Sequence, residues 1–209
     1  MNSTSFVEKR ARLRRVGLLA ALHCRIDRAW LGGVRRVFKF DAWHVSHPYS
    51  CRPYKRKVVD LANSVRPTTV VEVGCGLGDI VSRVRAARRF GFDSDASVIR
   101  AARFLHPGGV RWIHGIGSSV QSTIPAECRI DCMIMVNWIH NLNPDQLAAM
   151  LLPLLPRTQY LILDAIDADG PASYGFKHDF SFLSPLAERV SEMRAEGEPR
   201  SFILFKVAR

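Results

Sequence analysis

No stretch of the sequence holds the ~20 consecutive apolar residues that a bilayer-spanning helix requires. The sequence also lacks a disulfide framework. Its five cysteines (Cys24, Cys51, Cys75, Cys128 and Cys132) are odd in number and scattered. Only Cys128 and Cys132 are close, without the second pair or the histidine spacing of a zinc site. The expectation is therefore reduced, buried thiols and no metal, as in a cytoplasmic protein. There is no internal repeat and no low-complexity tract. An export signal is imitated but incomplete. Lys9, Arg10, Arg12, Arg14 and Arg15 precede the apolar run from Val16 to Leu22, but His23, Cys24 and Arg25 follow it where a small-residue cleavage site would stand.

Acidic residues are scarce at one end. Residues 1–66 carry 15 Lys and Arg against 4 Asp and Glu, and the rest of the chain carries 15 of each. The whole net charge of +11 therefore belongs to the N-terminal third. Such asymmetry suits an acidic partner: nucleic acid, an anionic membrane surface or a phosphorylated substrate. A hydrophobic fraction of 47% is ample for a packed core.

The hydrophobic pattern divides the chain in two. Residues 1–66 read as a basic helical extension and lid. An amphipathic helix is expected over 6–30, broken by Gly32-Gly33, with an irregular aromatic and histidine-rich segment over 34–54 and a second helix over 55–65. From residue 67 to 209, strands and helices alternate. Strands are expected at Thr69–Val73, Phe90–Asp93, Val110–Ile113, Ile130–Val136 and Tyr160–Asp164. Helices are expected at Asp79–Arg88, Ala96–Leu105 and from Pro144 to about Leu152. The tail suggests a helix over 184–190 and strands near 190–195 and 201–207. This alternation implies an α/β fold with a doubly wound, mostly parallel sheet.

The chemistry concentrates in Glu72-Val73-Gly74-Cys75-Gly76-Leu77-Gly78, where an apolar strand enters a glycine-rich turn. Glycines there permit positive φ and close approach of the backbone to a ligand, at the end of the strand where open α/β sheets bind ligands. A dinucleotide fingerprint would place a third glycine at position 79, beneath the pyrophosphate. Asp79 stands there instead, so a phosphate-free nucleoside carrying a cationic amino group fits better. Asp93 ends the second strand 19 residues after Gly74, where a carboxylate can accept both ribose hydroxyls. Asp95 is read as the cap of the next helix.

With these motifs the sequence resembles the class I, Rossmann-like S-adenosylmethionine-dependent methyltransferases over roughly residues 68–209. The resemblance implies S-adenosylmethionine as cofactor and a seven-stranded sheet whose last two strands form an antiparallel end. It implies Gly74, Cys75 and Gly76 against the methionine moiety, Glu72 near its ammonium group, and Asp93 with Ser94 at the ribose. The sequence departs from the family after the third strand. Ile113-His114-Gly115-Ile116-Gly117-Ser118 offers no carboxylate for the adenine amino group, which leaves the backbone of Gly115 and Ile116, or Ser118.

The fourth strand runs into Asn137-Trp138-Ile139-His140, which is not the Asn/Asp-Pro-Pro-Tyr/Phe pattern of many amino-directed family members. Asn137 and Trp138 are expected beside the cofactor. His140 is the first candidate base for an alcohol acceptor, since histidine titrates near ~6.5, and His178 is the second. His44, His47 and Tyr54 are candidate lid residues, and Asp164, Asp167 and Asp169 are read as strand-end carboxylates rather than metal ligands. The expected activity is O-directed methyl transfer to a small molecule or glycan, such as a sugar hydroxyl of a surface glycan or its lipid-linked precursor. Peripheral membrane contact through the basic helix would accompany it. RNA methylation with the basic arm on nucleic acid is the alternative, and a non-catalytic adaptor the third reading.

Overall fold

The computed structural model describes residues 18–168, 170 and 174–208. The basic run from Lys9 to Arg15 and Asp169 lie outside them. Seven strands form one sheet: β1 (Thr69–Val73), β2 (Arg88–Asp93), β3 (Arg111–His114), β4 (Ile130–Met135), β5 (Thr158–Ile166), β6 (Ala187–Arg194) and β7 (Arg200–Val207). Their order is β3-β2-β1-β4-β5-β7-β6. All pairings from β3 to β5 are parallel, whereas β7 runs antiparallel to both β5 and β6. All five residues of β1 are buried, as a central parallel strand covered on both faces requires. The strand order reverses direction between β1 and β4, and this switch point opens the crevice that holds the candidate site.

Two apolar layers cover the sheet. One joins Val71, Val73, Met133 and Met135 to Leu147 and Leu151 of a helix spanning Pro144–Leu151. The other joins Val70, Cys132 and Ile134 to Tyr54, Val58 and Leu61 of a helix spanning Pro53–Ser64. In chain order the helices are α1 (Leu18–Phe38), α2 (Ala42–Ser46), α3 (Pro53–Ser64), α4 (Ala96–Leu105), α5 (Ser119–Thr123) and α6 (Pro144–Leu151). Local chemistry fixes several of their ends. Asp41 and Asp95 accept backbone N–H bonds at the starts of α2 and α4, and Asn143 forms a reciprocal capping box with Gln146 ahead of Pro144. Leu31 and Val34 of α1 bury against Leu77, Val98 and Ala101 in a third, smaller cluster, so α1 packs on α4 and the glycine turn.

Four expectations change. Gly32-Gly33 does not end α1, because Leu31 and Val34 on either side hold the helix through packing. The expected helix 79–88 is reduced to a 3-10 turn at Val81–Arg83. Few residues separate Gly78 from β2, and Val81 donates its N–H to the Glu72 carboxylate at 2.8 Å. The expected helix 184–190 is absent, because residues from Ala187 onward extend as β6 against β7. Finally, Cys24 and Cys51 form a disulfide, tying α1 to the turn at Tyr49–Cys51, while Cys75, Cys128 and Cys132 are free and buried. Alkylation of the unfolded, unreduced protein followed by mass spectrometry should label three thiols, and prior reduction should raise this to five; five labelled thiols without reduction would contradict the pairing.

Candidate active site

A cavity of about 760 Å³ lies at the carboxyl ends of β1, β2, β3 and β4 and beneath α2, within the usual size range for small-molecule sites. Its lining includes Glu72, Gly74, Cys75, Gly76, Asp93, Ser94, Gly115, Ile116, Asn137 and Trp138. The structure therefore brings together all ten residues singled out for the cofactor. His140 and His178 are placed differently. Both are buried and neither lines the cavity. His178 Nε2 lies 3.1 Å from the Ile139 carbonyl, and His140 Nδ1 lies 3.1 Å from the Phe176 carbonyl. The loop after β4 thus packs on the 174–180 segment, and both imidazoles sit between the two, outside the cavity lining.

The glycine turn is built as its spacing requires. Gly74, Gly76 and Gly78 have φ of 71°, 53° and 81°, values that residues with a Cβ avoid. The Cys75 N–H donates to the Phe92 carbonyl and the Gly76 N–H to the Asp93 carboxylate at 2.9 Å. The other Asp93 oxygen accepts the Asp95 N–H at 3.0 Å. The glycines have different neighbours. A Cβ on Gly74 would stand 2.1 Å from the Trp138 indole, whose N–H donates to the Val73 carbonyl at 2.6 Å. A Cβ on Gly78 would instead meet Trp112, which packs across Gly78 and Gly91. Gly78 thus makes room for core packing rather than ligand. Burial pushes the Cys75 thiol well above its ordinary range, which favours its protonated form.

Glu72 is buried beneath the turn. Burial pushes its carboxyl up to about 8, against the opposing pull of the Val81 N–H and the charge of Lys55. A buried carboxyl of this kind becomes a strong partner for a cation that enters beside it. Lys55, which the sequence pattern did not single out, also lines the cavity; its Nζ donates to Asp79 at 2.6 Å and to the His47 carbonyl at 2.8 Å. No helix of useful length follows the glycine turn, and a carboxylate–lysine pair occupies the place of the third dinucleotide glycine. Both features disfavour a pyrophosphate. On the β3 side, the Gly115 N–H donates to the Asp93 carbonyl and the Ile116 N–H to the Ser119 hydroxyl. Both N–H groups are therefore engaged within the protein, and Ser118 is not among the lining residues.

The β4 wall is held from behind. Asn137 has φ of 76°, and its N–H donates to both oxygens of the buried Asp164 at 3.0 and 3.1 Å. Arg200 of β7 donates to Asn137 Oδ1 and to Asp164 at 3.3 Å, and stacks on Tyr54 at 4.1 Å. Burial opposes the Arg200 charge, but Asp164 and its neighbours outweigh it and hold the guanidinium protonated. Glu198 links Arg200 to Arg52 at the start of α3. His140 Nε2 lies 3.2 Å from Asp164, within ion-pair range but misaligned for a hydrogen bond. Asp164 is thus spent on structure. Among the described residues no group of three His, Cys, Asp or Glu side chains is placed to hold a metal ion.

Among the described residues, the histidines that line the cavity are His44 of α2 and His47 just after it. Asp41 Oδ1 lies 3.1 Å from His44 Nδ1, and the Trp43 carbonyl lies 2.8 Å from His47 Nδ1. His47 stacks on Trp43 with ring centres 4.3 Å apart, and burial lowers its pKa. The signal available in the sequence is the Asp-x-Trp-His spacing beside a helix cap, in a segment whose histidines were expected as lid residues rather than as a base.

A scan against protein-family models finds no match for this chain, and no curated protein matches it. Solved structures match it in shape. The N-methyltransferase NodS from Bradyrhizobium japonicum, in complex with S-adenosyl-L-homocysteine, aligns with a TM-score of 0.61 at 13% identity, over 85% of this chain and 98% of that one. Magnesium protoporphyrin IX methyltransferase from Synechocystis PCC 6803, with the same product bound, aligns at 0.60 and 10% identity, over 90% and 99%. The mitomycin 7-O-methyltransferase MmcR aligns at 0.57 and 16% identity, over 74% of this chain and 54% of that one, so the chain spans about half its length. These likenesses establish the fold: the chain has the Rossmann-like fold of class I S-adenosylmethionine-dependent methyltransferases.

Two variants test this geometry. Asp164→Ala leaves Arg200 buried without its carboxylate and should cost about 3–5 kcal/mol in urea unfolding. The Glu72 carboxyl is raised in the folded chain and ordinary in the unfolded one, so folding takes up a proton between pH 4.5 and about 8. The stability contributed by protonated Glu72 is present below this window and is lost as pH rises through it. Glu72→Gln should flatten that dependence in melts of the ligand-free protein; an unchanged slope would refute the assignment.

Proposed function

We propose that the chain is an S-adenosylmethionine-dependent methyltransferase. The observation that carries this reading is Asp93. It stands at the carboxyl end of β2 on the cavity wall, with both oxygens braced by backbone N–H groups of the turn and the next loop. Braced in this way, it keeps a fixed direction and remaining lone pairs for two vicinal hydroxyls. In this reading the methionine portion passes Gly74 and Gly76, its ammonium group meets Glu72, and Lys55 lies within reach of its carboxylate. The adenine edge lies toward Ile116. Methyl transfer is an in-line displacement at sulfonium: the acceptor atom forms the new bond to carbon while the carbon–sulfur bond breaks. Holding the two partners in line supplies much of the rate.

The acceptor in this proposal is a hydroxyl, best a sugar hydroxyl of a glycan or its lipid-linked precursor. Trp43 and Tyr174 give the cavity aromatic faces on which a sugar ring can rest. An alcohol must lose its proton as it reacts. His140 and His178, the expected bases, stand behind the wall, and His47 takes that role in the proposal. With Nδ1 donating to the Trp43 carbonyl, its Nε2 is the nitrogen left as acceptor, and burial favours the neutral ring. A second reading, RNA methylation, draws on the excess of basic residues in the first 66 positions; it requires RNA affinity that falls steeply with salt.

Asp93→Ala should weaken S-adenosylmethionine binding about a hundredfold or more, as expected for losing two charge-assisted hydrogen bonds. Calorimetry on the folded variant is the measurement, and undiminished affinity would remove the ribose assignment.

A further inference from the structure

The helix α1 carries two apolar faces, and the sheet domain covers only one. Leu31 and Val34 bury against α4 and Leu77. Leu19, Leu22, Ile26, Trp30 and Val37 remain more than half exposed, from 54% to 76%. At 3.6 residues per turn these five fall within an arc of about 80°, so they form one stripe along the helix. Exposed Phe104 of α4 extends it, with its ring 6.5 Å from that of Trp30. A free apolar stripe of this size calls for a partner.

The charge around the stripe favours one occupant. The helix contains Arg25, Arg28, Arg35 and Arg36 against a single acidic residue, Asp27. Helical geometry puts exposed Arg25 and Arg36 along one margin of the stripe. The sequence immediately before α1 is basic as well, from Lys9 to Arg15. A second copy of the chain would cover the apolar residues but set arginine margins near arginine margins, with one aspartate per helix to offset them. An anionic lipid surface meets both demands: acyl chains receive the stripe, and headgroups receive the arginines. Tryptophan suits that boundary.

We propose that the free face of α1 seats the protein on an anionic bilayer, with Leu22, Ile26 and Trp30 entering the headgroup–acyl boundary and Arg25 and Arg36 at the phosphates. No helix among the described residues is long and apolar enough to cross a membrane, and the proposal requires none. It stands apart from the methyl-transfer reading, since either can fail while the other holds.

The test is co-sedimentation of the full chain with vesicles of phosphatidylcholine alone and of equimolar phosphatidylcholine and phosphatidylglycerol. The wild type should bind the anionic vesicles at least tenfold more strongly. Ile26→Glu with Trp30→Glu should abolish that binding while circular dichroism melts stay unchanged, because both side chains are already exposed. Arg25→Glu with Arg36→Glu should weaken it and reduce its salt dependence. Absence of vesicle binding, equal binding to both compositions, or full binding by the Ile26/Trp30 variant would overturn the proposal. So would a wild-type dimer in sedimentation equilibrium that the same variant dissociates, because the stripe would then belong to a second copy.

Discussion

The structure around the cavity depends on one buried carboxylate. Asp164, near the carboxyl end of β5, accepts the N–H of Asn137 and the guanidinium of Arg200. Without that acceptor, the positive φ of Asn137 would have no compensation. That backbone turn delivers Trp138 onto Gly74, so the β4 wall and the glycine turn lock together through a single indole. Through Arg200, Glu198 and Arg52 the same network reaches the antiparallel end of the sheet and the start of α3. The ligand-facing surface is therefore held by charges that do not themselves face the ligand.

Much of the fold was legible because it follows from hydrophobic period and end signals. The β-branched run Thr69–Val73, the Asp95 cap before Ala96 and the Asn143-Pro144 start of α6 each carry their structure locally. The failures share a cause: tertiary contacts overrode local propensity. Gly32-Gly33 stays helical because its neighbours pack, the segment after Gly78 is too short for a helix once Glu72 claims Val81, and 187–194 becomes a strand because β7 offers an edge. The Cys24–Cys51 pair joins residues 27 apart and leaves no mark in their spacing.

The site divides in the same way. Glu72, Gly74, Gly76 and Asp93 were readable because motif spacing on a strand–turn unit fixes where they meet. His140 stands outside the cavity lining for a physical reason: a residue near a strand end can turn toward the cavity or into the core, and only the returning loop at Phe176 decides which. His44 and His47 were readable only as candidate lid residues and Lys55 was passed over, because all three come from the N-terminal helices, which the sequence alone cannot dock. The glycine at 78 looked like part of a ligand turn but serves Trp112.

The central claim is that this cavity takes an adenosine bearing an amino-acid tail and rejects a dinucleotide. Calorimetric titration of the wild-type chain with S-adenosyl-L-homocysteine, with NAD as the parallel ligand, tests it most directly. The account predicts one site for the homocysteine product and no binding heat with NAD. Saturable binding of NAD, or no binding of either ligand by the folded protein, would contradict it.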